Sequence, residues 1–255
     1  MNKQNYPKMS EESEGYYSEY IQNRKPNSFA NKFISTWHEK LLNYVVKKTK
    51  LNTGLRFLEI GPGHGQFAAC VLMKQFEYSF VDMSESVTSL MKSQGHDGYN
   101  GKLNELPNSI GKFDVIWISH VLEHCTTWVE AREMLDHAQA RLTENGKLIV
   151  ISPDILSSRE EFWSSDFSHG YPTSIRNVVQ LMSDVGLHVV QSAYHRNGRF
   201  NLVGRFIPAL ITAVPHRLLD YLISPKRRAK GEGFFYSWKT IFGWRQILVI
   251  GQKSE

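Results

Sequence analysis

Two groups of residues in this sequence could do chemistry: a glycine turn set behind an acid, and three histidines in two short polar segments. Residues 56–68 read RFLEIGPGHGQFA, with Gly61, Gly63 and Gly65 at alternate positions just after Glu59. Glycine between a strand and a helix lets a ligand press on bare backbone and turns the amides of the helix start toward it. A dinucleotide turn would read G-x-G-x-x-G, but here Gln66 stands where its third glycine would fall. A carboxylate at the strand end repels a pyrophosphate and suits an ammonium or sulfonium charge. Asp82, in FVDMSES one strand later, offers an acceptor pair for ribose hydroxyls. A tight turn without a ligand would also use glycines. Glu59 and Asp82 shift the reading to a nucleoside that carries a cationic amino-acid tail.

The histidines suggest proton transfer, because imidazole titrates near neutral pH and is the commonest base for a hydroxyl. His120 and His124 lie in SHVLEH, four residues apart, and could face one way on the turn after a strand. His169 lies in SDFSHGYPTS, a polar loop just ahead of a helix. His169 is the first choice for a base or acceptor contact, His124 the second, and His120 reads more simply as a pocket wall. Each could equally be a structural hydrogen-bonding residue. Cys70 and Cys125 are the only cysteines, too few for a disulfide framework or a cysteine zinc site. Sequence spacing brings no carboxylate cluster to Glu123 and His124, so no metal site is expected.

These residues need elements to hold them, and the hydrophobic pattern supplies strands and helices in alternation. Residues 28–50 place Phe29, Phe33, Trp37, Leu41 and Val45 at four-residue steps, one apolar helix face. Strands are expected at 55–60, 78–82, near Tyr99, at 113–119, in ENGKLIVISP, at 187–194 and in RQILVIGQK. Helices are expected at 65–74, after Ser84, at 127–142 and at 174–186. Repeated strand–helix units with apolar strands predict a Rossmann-like α/β fold: a seven-stranded, mostly parallel sheet with helices on both faces. Glu59 with the glycines, Asp82, and Ser119–His120 then all end strands on one edge, where such sheets bind ligands. The expected organisation is an N-terminal helical cap (1–50), an α/β core (51–195), a basic and apolar insertion (196–243) and a last core strand (244–255).

The segments LEIGPGHGQF, FVDMSESV, FDVIWISHVLEH and ENGKLIVISPD, in this order and spacing, resemble those of class I S-adenosylmethionine-dependent methyltransferases. The likeness spans about residues 56–194 and is greatest to the small-molecule group that includes the ubiquinone-biosynthesis O-methyltransferases. The resemblance implies S-adenosyl-L-methionine as the cofactor, with Gly61, Gly63 and Gly65 around its methionine part and Glu59 ordering that turn. It implies Asp82 on the ribose, Met83 on the adenine, and Ser119 and His120 near the methionine moiety. GKLNELP aligns with a segment that holds the adenine amine. Lys102 stands where an acid is common, which leaves that contact to Leu103 and Asn104. Some quinone-type relatives are thought to use a divalent metal near Glu123 and His124; no such dependence is expected here.

Charge and hydropathy narrow the partners. The net charge is +5, yet residues 196–230 carry eight Lys/Arg against Asp220 alone, a local +7. Such an excess suits a phosphate, a lipid surface or nucleic acid, and a solvated loop equally. In this insertion Pro208 and Pro215 rule out one long helix, so two short ones are expected, capping the substrate pocket or lying on a membrane. The polar N-terminal stretch has no secretory pattern and no apolar run reaches about 18 residues, so a cytoplasmic setting, membrane-peripheral at most, is expected. An amine-modifying nucleic-acid enzyme would show a D/N-P-P-Y/F tetrapeptide where this chain reads SHVLEH, so a nucleic-acid acceptor is not expected. The function expected is O-methylation of a small molecule, sugar or lipid-linked intermediate. The alternatives are N-methylation of a small molecule and a non-catalytic cofactor-binding regulator.

Overall fold

The computed structural model describes residues 28–196, 216–223, 236 and 244–254. In chain order the elements are α1 (Ser28–Thr49), β1 (Arg56–Ile60), α2 (Gln66–Met73), β2 (Glu77–Asp82), α3 (Glu85–Ser93), β3 (Asp97–Asn100) and β4 (Phe113–Ser119). Then come α4 (Trp128–Ala140), β5 (Leu142–Pro153), α5 (Ile155–Ser158), α6 (Glu161–Ser165), α7 (Ile175–Asp184), β6 (Leu187–His195), α8 (His216–Ile223) and β7 (Gln246–Lys253). Three helices start where a hydroxyl caps them. Ser84 accepts from the Val87 amide at 3.4 Å, Thr127 from Glu130 at 3.2 Å and Ser174 from Asn177 at 3.2 Å. Each such cap is worth about 1 kcal/mol. In α1 the basic residues Lys47 and Lys48 fall in the last turn, where they oppose the negative end of the helix dipole.

All seven strands form one sheet in the order β3-β2-β1-β4-β5-β7-β6. β7 runs antiparallel to both of its neighbours, and the other pairs are parallel. The strands are covered on both faces, so alternate residues enter two separate cores. Leu58, Ile116, Ile118, Leu148 and Val150 meet Ala131 and Leu135 of α4 and Val178 and Met182 of α7. Phe57, Val115, Trp117, Ile149 and Ile151 meet Leu41, Leu42 and Val45 of α1 and Phe67 and Val71 of α2. Trp117 and Phe67 stack in this second core, with ring centroids 4.5 Å apart. The helix expected to cap the domain therefore packs into its core as well.

The chain steps from β1 to β2 to β3 in one direction, then crosses to the other side of β1 for β4. That reversal opens a crevice at the carboxyl ends of β1 and β4, the place such sheets hold ligands. Register aligns those ends: Ile60 pairs with Val81 and with Ile118, and Ser119 pairs with Ile151. Two details differ from the sequence expectation. The stretch after β4 is a 3-10 turn at Leu122–His124, and α4 begins only at Trp128. Two short helices, α5 and α6, precede the loop that carries His169. The short strand expected near Tyr99 is β3, four residues long. In the insertion α8 is described over His216–Ile223, and Pro208 and Pro215 both lie outside the described residues.

Candidate active site

The glycine turn is built by three left-handed residues, with φ of +72° at Gly61, +56° at Gly63 and +75° at Gly65. An L side chain is strained in that region, so the backbone itself calls for glycine. Space separates the three. A Cβ on Gly61 would meet Val121 Cγ2 at 2.6 Å, and one on Gly65 would meet Met91 Sδ and Gln94 Oε1 at 2.6 Å. A Cβ on Gly63 would meet nothing within 4 Å. Gly61 and Gly65 thus press on the protein, while Gly63 faces open space at the crevice. A cradle of this kind fits a ligand that lies on the turn.

Glu59 lies beneath the turn, 4% exposed, and accepts a hydrogen bond from the Tyr78 hydroxyl at 2.5 Å. Burial pushes its carboxyl up to about 8; the Tyr78 bond opposes this and the nearby Asp82 charge adds to it. Asp82 ends β2, where its Oδ1 accepts from the Ser84 amide at 2.8 Å. Burial raises this carboxyl too, to about 6, against that amide bond. Two acids held back from ionising by burial are favoured as carboxylates by a positive charge or further hydroxyl donors brought beside them. A ligand with an ammonium or sulfonium end and a ribose would supply both. Met83 is 62% exposed beside Asp82, a bare apolar surface of the kind an adenine ring covers. Leu103 is buried, Asn104 is exposed, and Glu105 closes that turn by accepting from the Lys102 amide at 2.8 Å. The residues present therefore fit S-adenosylmethionine.

The histidines do not share one face as their spacing suggested, because the chain forms a 3-10 turn rather than an α-helix there. His120 has a left-handed φ of +57°, its amide bonds to Ile151 O at 2.9 Å, and its Nδ1 lies 3.1 Å from Glu123 Oε1. Its ring centroid is 5.8 Å from that of Trp37 on α1. His124 instead turns to the loop after α6, with Nδ1 2.8 Å from Ser168 Oγ, and Ser168 donates onward to Asp166 at 2.6 Å. Burial lowers its pKa, partly offset by Glu123 and Asp166. His169 lies in that loop, its Nδ1 2.6 Å from Phe162 O and its ring 5.0 Å from that of His124. The fold thus pairs His124 with His169 and gives His120 to Glu123.

Sequence reading missed Glu123 as a hub. It is fully buried, accepts from Ser152 Oγ at 2.7 Å, and its backbone carbonyl takes the amides of Gly170 and Tyr171 at 2.9 and 3.1 Å. Burial alone would raise its pKa, but the His120 bond and the flanking imidazoles outweigh that and hold it below the usual value. The only early signal was an acid inside the apolar VLEHC. No second carboxylate joins Glu123 in the one such group among the described residues, where Glu123, His124 and His169 each bring one ligand-capable atom within 4.8 Å of the others. Both Glu123 oxygens are already hydrogen-bonded, to His120 and Ser152. Tyr78, Trp37 and His38 also escaped notice as site residues: Tyr78 read only as the start of a strand, and Trp37 and His38 lie far from the motifs in sequence and arrive through packing.

A model of the methyltransferase domain matches residues 27–192. None of the curated proteins matches the sequence. Among solved structures, the chain is similar to a Haloferax volcanii methyltransferase solved with the Trm112 activator, at 15% identity and a TM-score of 0.63, covering 94% of this chain and 98% of the structures' chain. It is similar to an S-adenosylmethionine-dependent methyltransferase from Archaeoglobus fulgidus, at 17% identity, a TM-score of 0.61 and coverages of 93% and 99%. It is also similar to magnesium protoporphyrin IX methyltransferase from Synechocystis PCC 6803 with bound cofactor, at 14% identity, a TM-score of 0.58 and coverages of 99% and 100%.

Proposed function

The chain belongs to the class I S-adenosylmethionine-dependent methyltransferases, and from that premise we propose that it methylates an oxygen of a small molecule, sugar or lipid-linked intermediate. When bound, S-adenosylmethionine supplies an electrophilic methyl group on a sulfonium, whose C–S electrons remain on sulfur. In this reading Gly61, Gly63 and Gly65 bear the methionine part, and Glu59 orders the turn from below through charge. Asp82 takes the ribose hydroxyls and Met83 covers the adenine, with Leu103 and Asn104 at its amine edge. Ser119 and His120 close the methionine side. His124 and His169 line the acceptor side through the loop docked on Glu123.

The observation that carries oxygen as the target is the set of imidazoles gathered around Glu123 at the carboxyl end of β4. An alcohol or phenol attacks poorly until its proton is taken, and a histidine is suited to take it near neutral pH. A neutral amine already has a lone pair and needs no such group before attack. The segment 196–230, most of which lies outside the described residues, is assigned to the acceptor on its net +7, which suits an anionic surface if the acceptor is lipid-linked. α8 supports this with Leu218, Tyr221 and Leu222 exposed. No helix among the described residues is long and apolar enough to cross a membrane.

The test is transfer of labelled methyl from S-adenosylmethionine into fractionated host extract, followed by mass spectrometry and NMR of the labelled product. A methyl ether or ester is expected, and label on nitrogen would replace this reading with the N-methyl one. Asp82→Ala should abolish transfer in the same fractions by weakening cofactor binding at least tenfold.

A further inference from the structure

We infer that Glu123 is a positioning residue that fixes His120 as the Nδ1–H tautomer, so that His120 Nε2 is the atom that accepts the proton of the acceptor hydroxyl. The inference rests on the O-methylation reading above. Its support is geometric. A fully buried carboxylate is costly unless each oxygen is bonded. Here Oε1 faces His120 Nδ1 at 3.1 Å and Oε2 takes Ser152 Oγ at 2.7 Å. Ser152 gives its one proton to Glu123 and packs 2.9 Å from Thr173 Oγ1, whose own proton goes to Pro153 O at 2.5 Å. The second carboxylate oxygen is thus anchored to β5 through Ser152.

An ionised carboxylate accepts and never donates, so the ring nitrogen facing it must carry the proton. That leaves Nε2 of His120 with its lone pair. The side chain is about a third exposed, whereas Glu123 is sealed behind it. His120 is also the residue that the strand end pushes outward, with φ +57° and its amide tied to Ile151 O. During transfer the acceptor oxygen gains the methyl carbon and its proton passes to Nε2. The imidazolium that forms then lies against a buried negative charge, which a lone histidine would lack. Among the described residues, the titratable groups facing His120 besides Glu123 are imidazoles: His38 on α1, His124 on the same turn and His195 at the end of β6. Burial lowers His38 and His195 to about 3, so both stay neutral.

His124 and His169 are bound differently. Their Nδ1 atoms face a hydroxyl and a backbone carbonyl, neither of which brings a negative charge into direct contact with the ring. The sequence favoured His169 as base; the contacts favour His120.

The experiment uses the full chain labelled with 15N-histidine, in buffer with EDTA, with and without S-adenosylhomocysteine. The His120 signals, identified by their loss in His120→Asn, should report the Nδ1–H tautomer at pH 8. In Glu123→Gln the amide can donate or accept, so the ring should populate both tautomers. Labelled transfer in the active extract fraction should fall at least tenfold, with the S-adenosylhomocysteine dissociation constant within twofold of wild type. A wild-type Nε2–H tautomer overturns the inference, as does a Glu123→Gln enzyme with unchanged tautomer and rate, or His120 signals that shift when EDTA is replaced by Zn2+. If Glu123→Gln does not fold, Ser152→Ala frees Oε2 instead and should blur the tautomer with a smaller loss of rate; an unchanged tautomer and rate there also overturn it. The tautomer is read without any acceptor. An N-methylated product would therefore sink the O-methylation reading while leaving the dyad measured.

Discussion

Three glycines in one turn have separate duties, and substitution can tell them apart. Gly65→Ala places a Cβ 2.6 Å from Met91 and Gln94 at a left-handed φ, so it should cost on the order of 1–3 kcal/mol of stability in thermal or urea melts. Gly63→Ala meets no neighbour and should cost only about 1 kcal/mol from its backbone conformation. It should nevertheless weaken S-adenosylmethionine binding at least tenfold by calorimetry, because the new methyl group occupies the cradle. Equal effects of the two changes on affinity and stability would remove the distinction. Glu59 gives a pH signature. Its folded pKa of about 8 lies above the ordinary carboxyl value, so the folded state holds a proton that the unfolded chain releases. Ligand-free stability should fall as pH rises from about 4.5 to 8. Glu59→Gln keeps an acceptor for Tyr78 and should remove that slope, gaining on the order of 1–3 kcal/mol at pH 8 and little at pH 5. In wild type a cationic ligand favours the carboxylate, so binding should tighten from pH 6 to 8 with release of a proton. Calorimetry in buffers of different ionisation enthalpy would detect it.

At the scale of elements, the loop after α6 is held to the turn after β4 by two backbone amides and by the Ser168–His124 bond. The amides of Gly170 and Tyr171 both reach Glu123 O, and this brings His169 to His124. A Cβ on Gly170 would meet Cys125 O at 2.5 Å and Thr126 Cα at 3.0 Å. Gly170→Ala should therefore lift the loop, raising KM for the acceptor several-fold while leaving cofactor affinity unchanged. A cofactor defect instead would place the loop on the other side of the site. What could be read from sequence follows the same division. The strands and the glycine turn were legible because burial on both faces leaves long apolar runs, and because left-handed backbone demands glycine. Ser84 announced its helix by a hydroxyl cap, and Thr127 and Ser174 cap the two helices that periodicity announced. The partners of the histidines were not legible, since Ser152, Thr173 and Ser168 are ordinary polar residues until the fold brings them close. The spacing of His120 and His124 misled because four residues share a face only in an α-helix, and this segment is a 3-10 turn.

For the whole molecule, charge is divided between a nearly neutral catalytic body and the strongly basic stretch 196–230. Contact with an anionic surface is proposed from this stretch together with the exposed Leu218, Tyr221 and Leu222 of α8. Neutralising Lys226, Arg227 and Arg228 to Gln should cut sedimentation with vesicles containing phosphatidylglycerol by several-fold, with binding to pure phosphatidylcholine low throughout. Raising salt from 0.1 to 0.5 M should mimic the triple change, because screening shortens the reach of such charges. Salt-insensitive binding, or none to either vesicle, would leave the stretch as a pocket cap only.

β6 joins the sheet through β7 alone, and the two run antiparallel with His195 opposite Gln246. Everything between those two residues is thus, topologically, the loop of one β-hairpin, entered and left at neighbouring points about 5 Å apart. The residues that cradle the cofactor, by contrast, all precede His124. An excursion that begins and ends at one rung of the sheet can be lengthened, shortened or exchanged without shifting the register of any strand. On the reading proposed above, in which this stretch meets the acceptor, acceptor choice is free to evolve as a cassette while the methyl-donor half of the enzyme stays fixed.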